Sequence, residues 1–100
     1  MTVARTAEEM IGGMAPVIQP GAYVFVCLDD VRAERLAPLA VATCREAEGL
    51  SAILPVEVAR REGLPADLPM RCITLTVHSA LDGVGLTAAV AGALASAGIP

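Results

Sequence analysis

The chain has no tryptophan and no lysine. Tyr23 and Phe25 are its only aromatic residues, and His78 is its only histidine. Each scarcity excludes something. Single-stranded nucleic acid is gripped by aromatic platforms set in basic grooves. Here the seven basic residues are all arginine, no basic run exists, and the formal net charge is −4. Nucleic acid is therefore excluded as the expected partner. The three cysteines, Cys27, Cys44 and Cys72, form no CxxC pair. Knuckle spacing for zinc is missing, so no metal site is expected. Buried, reduced thiols acting as small hydrophobes are the expectation instead. The N-terminus MTVARTAEEM lacks the apolar core of a secretory signal, which points to the cytoplasm.

What is abundant is small and apolar. The hydrophobic fraction is 55%, much of it alanine. One hundred residues make one domain at most. A core of this size must be built from Val, Leu, Ile and Met, with alanine allowing helices close to a sheet. The stretch 83–99 carries no charge. It is at the short limit for a membrane span and poor in Leu, Ile and Phe, so a helix lying on a sheet is expected, with no membrane partner.

Punctuation along the chain sets the elements. Thr6 with Glu9 forms a capping box and predicts a short helix over 7–14. Pro20-Gly21 is a turn. AYVFVCL (22–28) is continuously apolar and predicts a strand buried on both faces. Asp29-Asp30 ends it and caps a helix over 31–36, stopped by Pro38. Strands are predicted over 41–46 and 50–54, around a turn at Ala47-Glu48-Gly49. Pro55 suits the first position of a helix with Glu57 in its first turn and Arg60 and Arg61 in its last, where the dipole favours them. Gly63 closes that helix and Pro65 prevents continuation. RCITLTVH (71–78) alternates, with Ile73, Leu75 and Val77 on one side. The last helix, 85–98, places Leu86, Val90, Ala93, Leu94 and Ala97 on one stripe. Gly98 closes it, and Ile99 can pack back on Leu94.

The order helix, then β-α-β-β-α-β, then helix predicts an α+β class. The middle six elements match a ferredoxin-like unit, an antiparallel sheet with helices on one face.

Three stretches carry a resemblance: YVFVCL, ATCREAEGLSAILP and RCITLTVHSALDGVGLTAAVAGALASAGIP. They resemble small bacterial ACT-domain proteins, whose ACT module is similar to those of the aspartokinase regulatory domain and the cellular arginine sensor. The resemblance runs from about Met10 to Pro100 and is most specific in REAEGL (45–50) and ITLTVHSALDGVGLTAAVA (73–91). It implies a single ACT-like domain over 1–100: an N-terminal ACT-like half (1–70) and the start of a second, incomplete unit (71–100). In that family the chain continues after AGIP into two further strands and a helix, so a truncated C-terminus is expected here. The resemblance also implies a non-enzymatic regulatory module that binds an amino acid, commonly as a dimer, with no cofactor.

The family's ligand loop maps onto His78, Ser79, Ala80, Leu81, Asp82, Gly83, Val84 and Gly85. The residues have their own logic. Gly83 and Gly85 bare the backbone at a helix start, where N–H groups and the dipole suit a carboxylate. Asp82 suits an ammonium. The competing reading makes Ser79 and Asp82 a turn and helix cap. On spacing alone turn and cap leads; the resemblance reverses that order. His78 sits too close in sequence to Ser79 and Asp82 for a triad, so no catalytic residue is expected. Glu46 and Glu48 form either a carboxylate pair or a solvated turn in which Arg45 pairs with a carboxylate, and the resemblance also leaves an interface role open for this segment. Glu57 with Arg61 is an ordinary i,i+4 pair. The rival to a ligand-binding function is a ligand-free interaction protein that self-associates through its sheet edge.

Overall fold

The computed structural model describes Gly12, residues 15–76 and residues 83–100. The helix expected over 7–14 falls, apart from Gly12, outside the described residues. Five strands and three helices follow: β1 (Pro16–Ile18), β2 (Tyr23–Leu28), α1 (Asp30–Leu36), β3 (Ala42–Glu46), β4 (Gly49–Pro55), α2 (Val56–Arg61), β5 (Ile73–Leu75) and α3 (Leu86–Ser96). A 3-10 turn, Ala37–Leu39, extends α1 and carries Pro38 in its first turn. The chain divides into two compact units, residues 18–72 and residues 1–17 with 73–100.

Unit 18–72 holds a three-stranded antiparallel sheet in the order β2-β4-β3. Strand β4 runs between its neighbours, with Val24 opposite Leu54 and Val26 opposite Ala52 on one side. On the other side Cys44 stands opposite Ser51 and Arg45 opposite Leu50. This is the ferredoxin-like order. The place of a fourth strand beside β2 is taken by a short antiparallel bridge, in which the amides of Tyr23 and Met70 donate to each other's carbonyls at 2.8 and 2.7 Å. The Gln19 amide also donates to the Cys72 carbonyl at 2.8 Å. Strands β1 and β5 form a separate two-stranded sheet.

The core is one-sided. Val24, Val26 and Leu28 from β2 and Ala52 and Leu54 from β4 are buried with Leu36 of α1 and Val56 and Ala59 of α2. Period-two geometry puts Tyr23, Phe25 and Cys27 on the opposite face. The expectation of a β2 buried on both faces is therefore wrong: Phe25 is 62% exposed and Cys27 is exposed. The unbroken apolar run misled, because both helices of the unit pack on one face of its sheet. The cysteines follow the same logic. Cys27 and Cys44 are exposed and Cys72 half-buried, against the expectation of buried thiols.

Local chemistry explains the boundaries. Asp29 caps α1, its carboxylate accepting from the Arg32 amide at 2.8 Å. Pro55 is the last residue of β4 and the N-cap of α2 rather than its first helical residue, so strand passes into helix without a loop. At the end of α2 the Leu64 amide reaches the Ala59 carbonyl (2.9 Å) and the Gly63 amide reaches Arg60 (3.2 Å), a Schellman closure with Leu64 buried against the core. The same closure ends α3, with Ile99 to Leu94 at 2.9 Å and Gly98 to Ala95 at 3.0 Å. Ile99 itself stays 51% exposed, so the backbone bonds form while its side chain remains largely in solvent.

Two elements are shorter than expected. Strand β5 covers three residues of the predicted 71–78, and residues 77–78 lie outside the described ones. Helix α3 has no fully buried residue; Leu86, Val90 and Leu94 of the expected stripe are half-buried, while Ala93 and Ala97 are exposed. Among the described residues no helix is long and apolar enough to cross a membrane.

The hairpin turn between β3 and β4 depends on Gly49. Its φ is +142°, and a Cβ there would stand 2.8 Å from the Leu28 carbonyl oxygen. Gly21 also has positive φ, +82°, but a Cβ there meets nothing within 4 Å. Gly49→Ala should therefore cost more than Gly21→Ala, about 2–3 kcal/mol against about 1. Thermal unfolding of the two variants checks the order. A thiol reagent should modify Cys27 and Cys44 in the folded chain well before Cys72; equal rates for all three would contradict the one-sided sheet.

Candidate functional site

The site expected from sequence begins in residues that the structure leaves undescribed. His78, Ser79, Ala80, Leu81 and Asp82 lie outside the described residues. Gly83, Val84 and Gly85 are described. Gly85 is the N-cap of α3, with φ +105° and ψ −11°. That left-handed backbone is open to glycine and strained for side chains. No side chain at this N-cap accepts a hydrogen bond, and the first bond of the helix runs from the Ala89 amide to the Gly85 carbonyl at 2.9 Å. The amides of Leu86, Thr87 and Ala88 precede that bond and have no partner further back in the helix. Helix α3 is uncharged, so within it the first-turn amides and the helix dipole supply the positive potential. Val84 is 81% exposed. The arrangement can accept an anionic group such as a carboxylate.

The turn sequence REAEG is exposed at residues 45–48, as the solvated-turn alternative expects. Glu46 is bonded by the Ser51 hydroxyl, which donates to its carboxylate. Glu48 stands exposed at the turn. Among the described residues no carboxylate comes within ion-pair reach of Arg45, against the expected pairing. Glu57 and Arg61 also close no ion pair. An ion pair that does form among the described residues was not legible locally. Arg35 of α1 meets Glu62 beyond α2 at 2.7 Å and ties together the ends of the two helices. Its partly exposed setting limits its worth to under about 1 kcal/mol.

Described residues of unit 18–72 line two concavities. One is a shallow depression of about 120 Å³ on the open sheet face, between Phe25, Ala42, Cys44, Ser51 and Ile53. The other is a groove of about 400 Å³ between α1 and the β3–β4 hairpin, lined by Asp30, Ala33, Glu34, Ala37, Arg45 and Leu50. Sequence reading missed the groove because its walls come from two segments. Among the described residues no three His, Cys, Asp or Glu side chains are grouped as a metal site would need.

Comparisons with known proteins fall in line with this architecture. A family model described as an ACT domain matches residues 5–71. The crystal structure of a Vibrio cholerae protein, titled as of unknown function and a possible transport protein, superposes with a TM-score of 0.73 at 41% sequence identity. That match covers 88% of this chain and 67% of the Vibrio protein. No curated protein matches the chain. ACT domains are in general regulatory modules that bind small molecules. The β2-α1-β3-β4-α2 unit, the antiparallel order β2-β4-β3 and the match over 5–71 agree: the chain belongs to the ACT-domain family.

Proposed function

We propose that this chain is a non-catalytic regulatory module that binds an α-amino acid through the loop 78–85. The carboxylate would sit on the backbone amides that open α3, and the ammonium on Asp82. His78, Ser79, Ala80, Leu81, Gly83 and Val84 would complete the loop around the ligand. Binding would favour one conformation of whatever the module contacts, and so act as a population shift. The observation that carries this reading is Gly85. A left-handed glycine N-cap offers the first-turn amides no side chain of its own, and a ligand carboxylate would supply an acceptor. A cytoplasmic location goes with it, since three free cysteines, two of them exposed, stay reduced there. No covalent step is required, and the absence of a cofactor belongs to the same proposal.

A dimer also fits. Strand β3 is exposed along all five residues and, among the described residues, forms an edge of its sheet. Such an edge offers unpaired backbone groups to a second copy. The same observation supports a second reading, in which the chain is an interaction protein that self-associates without any ligand. In that case the domain half 71–100 would serve assembly rather than recognition.

The test is thermal unfolding of the chain alone and with each of the twenty amino acids. A specific ligand at about one hundred times its dissociation constant adds about 2.7 kcal/mol. For a domain of this size the midpoint should rise by about 10 °C or more. Asp82→Ala should weaken that ligand by about tenfold, the worth of about 1.4 kcal/mol of ammonium contact. A cooperative transition that no amino acid moves would overturn the ligand reading and leave self-association in its place.

A further inference from the structure

The face of the β2-β4-β3 sheet turned away from the helices carries side chains that register sets in rows across the strands. One row runs Phe25, Ile53, Ala42 and the next runs Cys27, Ser51, Cys44. Phe25 is 62% exposed. Ala42 and both thiols are exposed, and Ile53 and Ser51 on the middle strand are half-buried. The three strands hold two charged residues, Arg45 and Glu46. Arg45 stands opposite Leu50, in phase with the buried Ala52 and Leu54, and so belongs to the helix side. Glu46 stands at a corner opposite Gly49, and its carboxylate accepts from the Ser51 hydroxyl. The rest of this face is uncharged, on a chain of formal net charge −4.

The shape of the face matches itself. The first row falls in size from Phe25 on β2 to Ala42 on β3. On the small side lies the depression of about 120 Å³ over Ala42, Cys44, Ser51 and Ile53, bordered by Phe25. A ring that projects on one side of β4 and a hollow on the other are exchanged by a two-fold axis. An axis running along β4 lays β2 of each copy over β3 of the other. Phe25 then enters the depression above Ala42, Cys27 meets Cys44, and Ile53 and Ser51 each meet their own counterparts. An axis across the strands would instead stack Phe25 on Phe25 and Ala42 on Ala42, overpacking beside a void. A partner recognised by charge would find one carboxylate here, already bonded.

We propose that two copies of this chain pack open face to open face about an axis along β4, as two aligned sheets about 10 Å apart. The edge pairing considered above uses the backbone groups of β3 and leaves this face open. The two contacts are therefore independent, and neither involves loop 78–85, so this proposal and the ligand reading fail separately. A face three strands wide makes an interface at the small, reversible end of the range, and the dimer fraction follows concentration. Two chains of like net charge approach each other, so added salt tightens this contact.

The experiment is crosslinking of the full chain, carrying Cys72→Ser, by a short bis-maleimide. With the proposed register, Cys27→Ser alone and Cys44→Ser alone should give no covalent dimer. Mixing these two variants should give one, because one copy then supplies Cys44 and the other Cys27. In sedimentation, Phe25→Asp should weaken association by about tenfold or more. Its unfolding midpoint should change little, because Phe25 lies largely outside the core. Covalent dimer from Cys27→Ser alone would join Cys44 to Cys44, as paired β3 edges do, and overturns the proposal in favour of the edge. Covalent dimer from Cys44→Ser alone overturns the axis along β4. No covalent dimer from the mixture, or undiminished association of folded Phe25→Asp, overturns the proposal outright.

Discussion

The antiparallel contact of β2 with β4 is the constraint on which the rest of unit 18–72 depends. Its register sets Val24 against Leu54 and Val26 against Ala52 on one face. Leu28, Leu36 and Leu54 are almost fully buried on that face. Burying each contributes about 1.5–3 kcal/mol relative to an exposed position. A shift of one residue would turn this row to solvent and Phe25, Cys27 and Ser51 to the helices. Helix α1 is held by Leu36, and α2 by Val56 and Ala59. The ion pair of Arg35 with Glu62 then joins helices that the core has already placed.

Functional surfaces follow from that one-sided core. Because the helices cover one face, the other keeps Phe25 and both exposed thiols in solvent. Because β3 lies at one end of the order β2-β4-β3, Arg45 stays exposed beside α1 instead of being buried. The groove is the space between a helix that follows the core and a hairpin that extends past it. Gly49 makes that hairpin possible, since its backbone passes too close to Leu28 for any side chain.

Much of this was legible in the sequence where local chemistry decides. Asp29 as a cap, Gly63 and Gly98 as helix closures, and the turn before Gly49 mark α1, α2, α3 and the hairpin within one or two residues. The family was legible from YVFVCL, REAEGL and the segment that opens α3. What was not legible is long-range. Strand β1 is three residues long and is a strand only because β5 lies beside it. The apolar run of β2 carries no sign of which face the helices will cover. Arg35 with Glu62, and Arg45 across from Asp30 and Glu34, join segments whose proximity only the fold creates. Of the candidate loop, Gly85 behaves as a residue without a Cβ should, at φ +105°. Pro55 shows a subtler limit: a residue suited to opening a helix also ends a strand, and the packing of β4 decided between them.

Native-state hydrogen exchange tests the central claim most directly. If the β2–β4 contact is the foundation, bonded amides of these two strands should exchange only by global unfolding, with the full unfolding free energy. Amides of β5 and the outer edge of β3 should exchange through smaller openings. Amides of β2 and β4 that exchange as fast as those of β5 would contradict the account, because the core would then be assembled on something else.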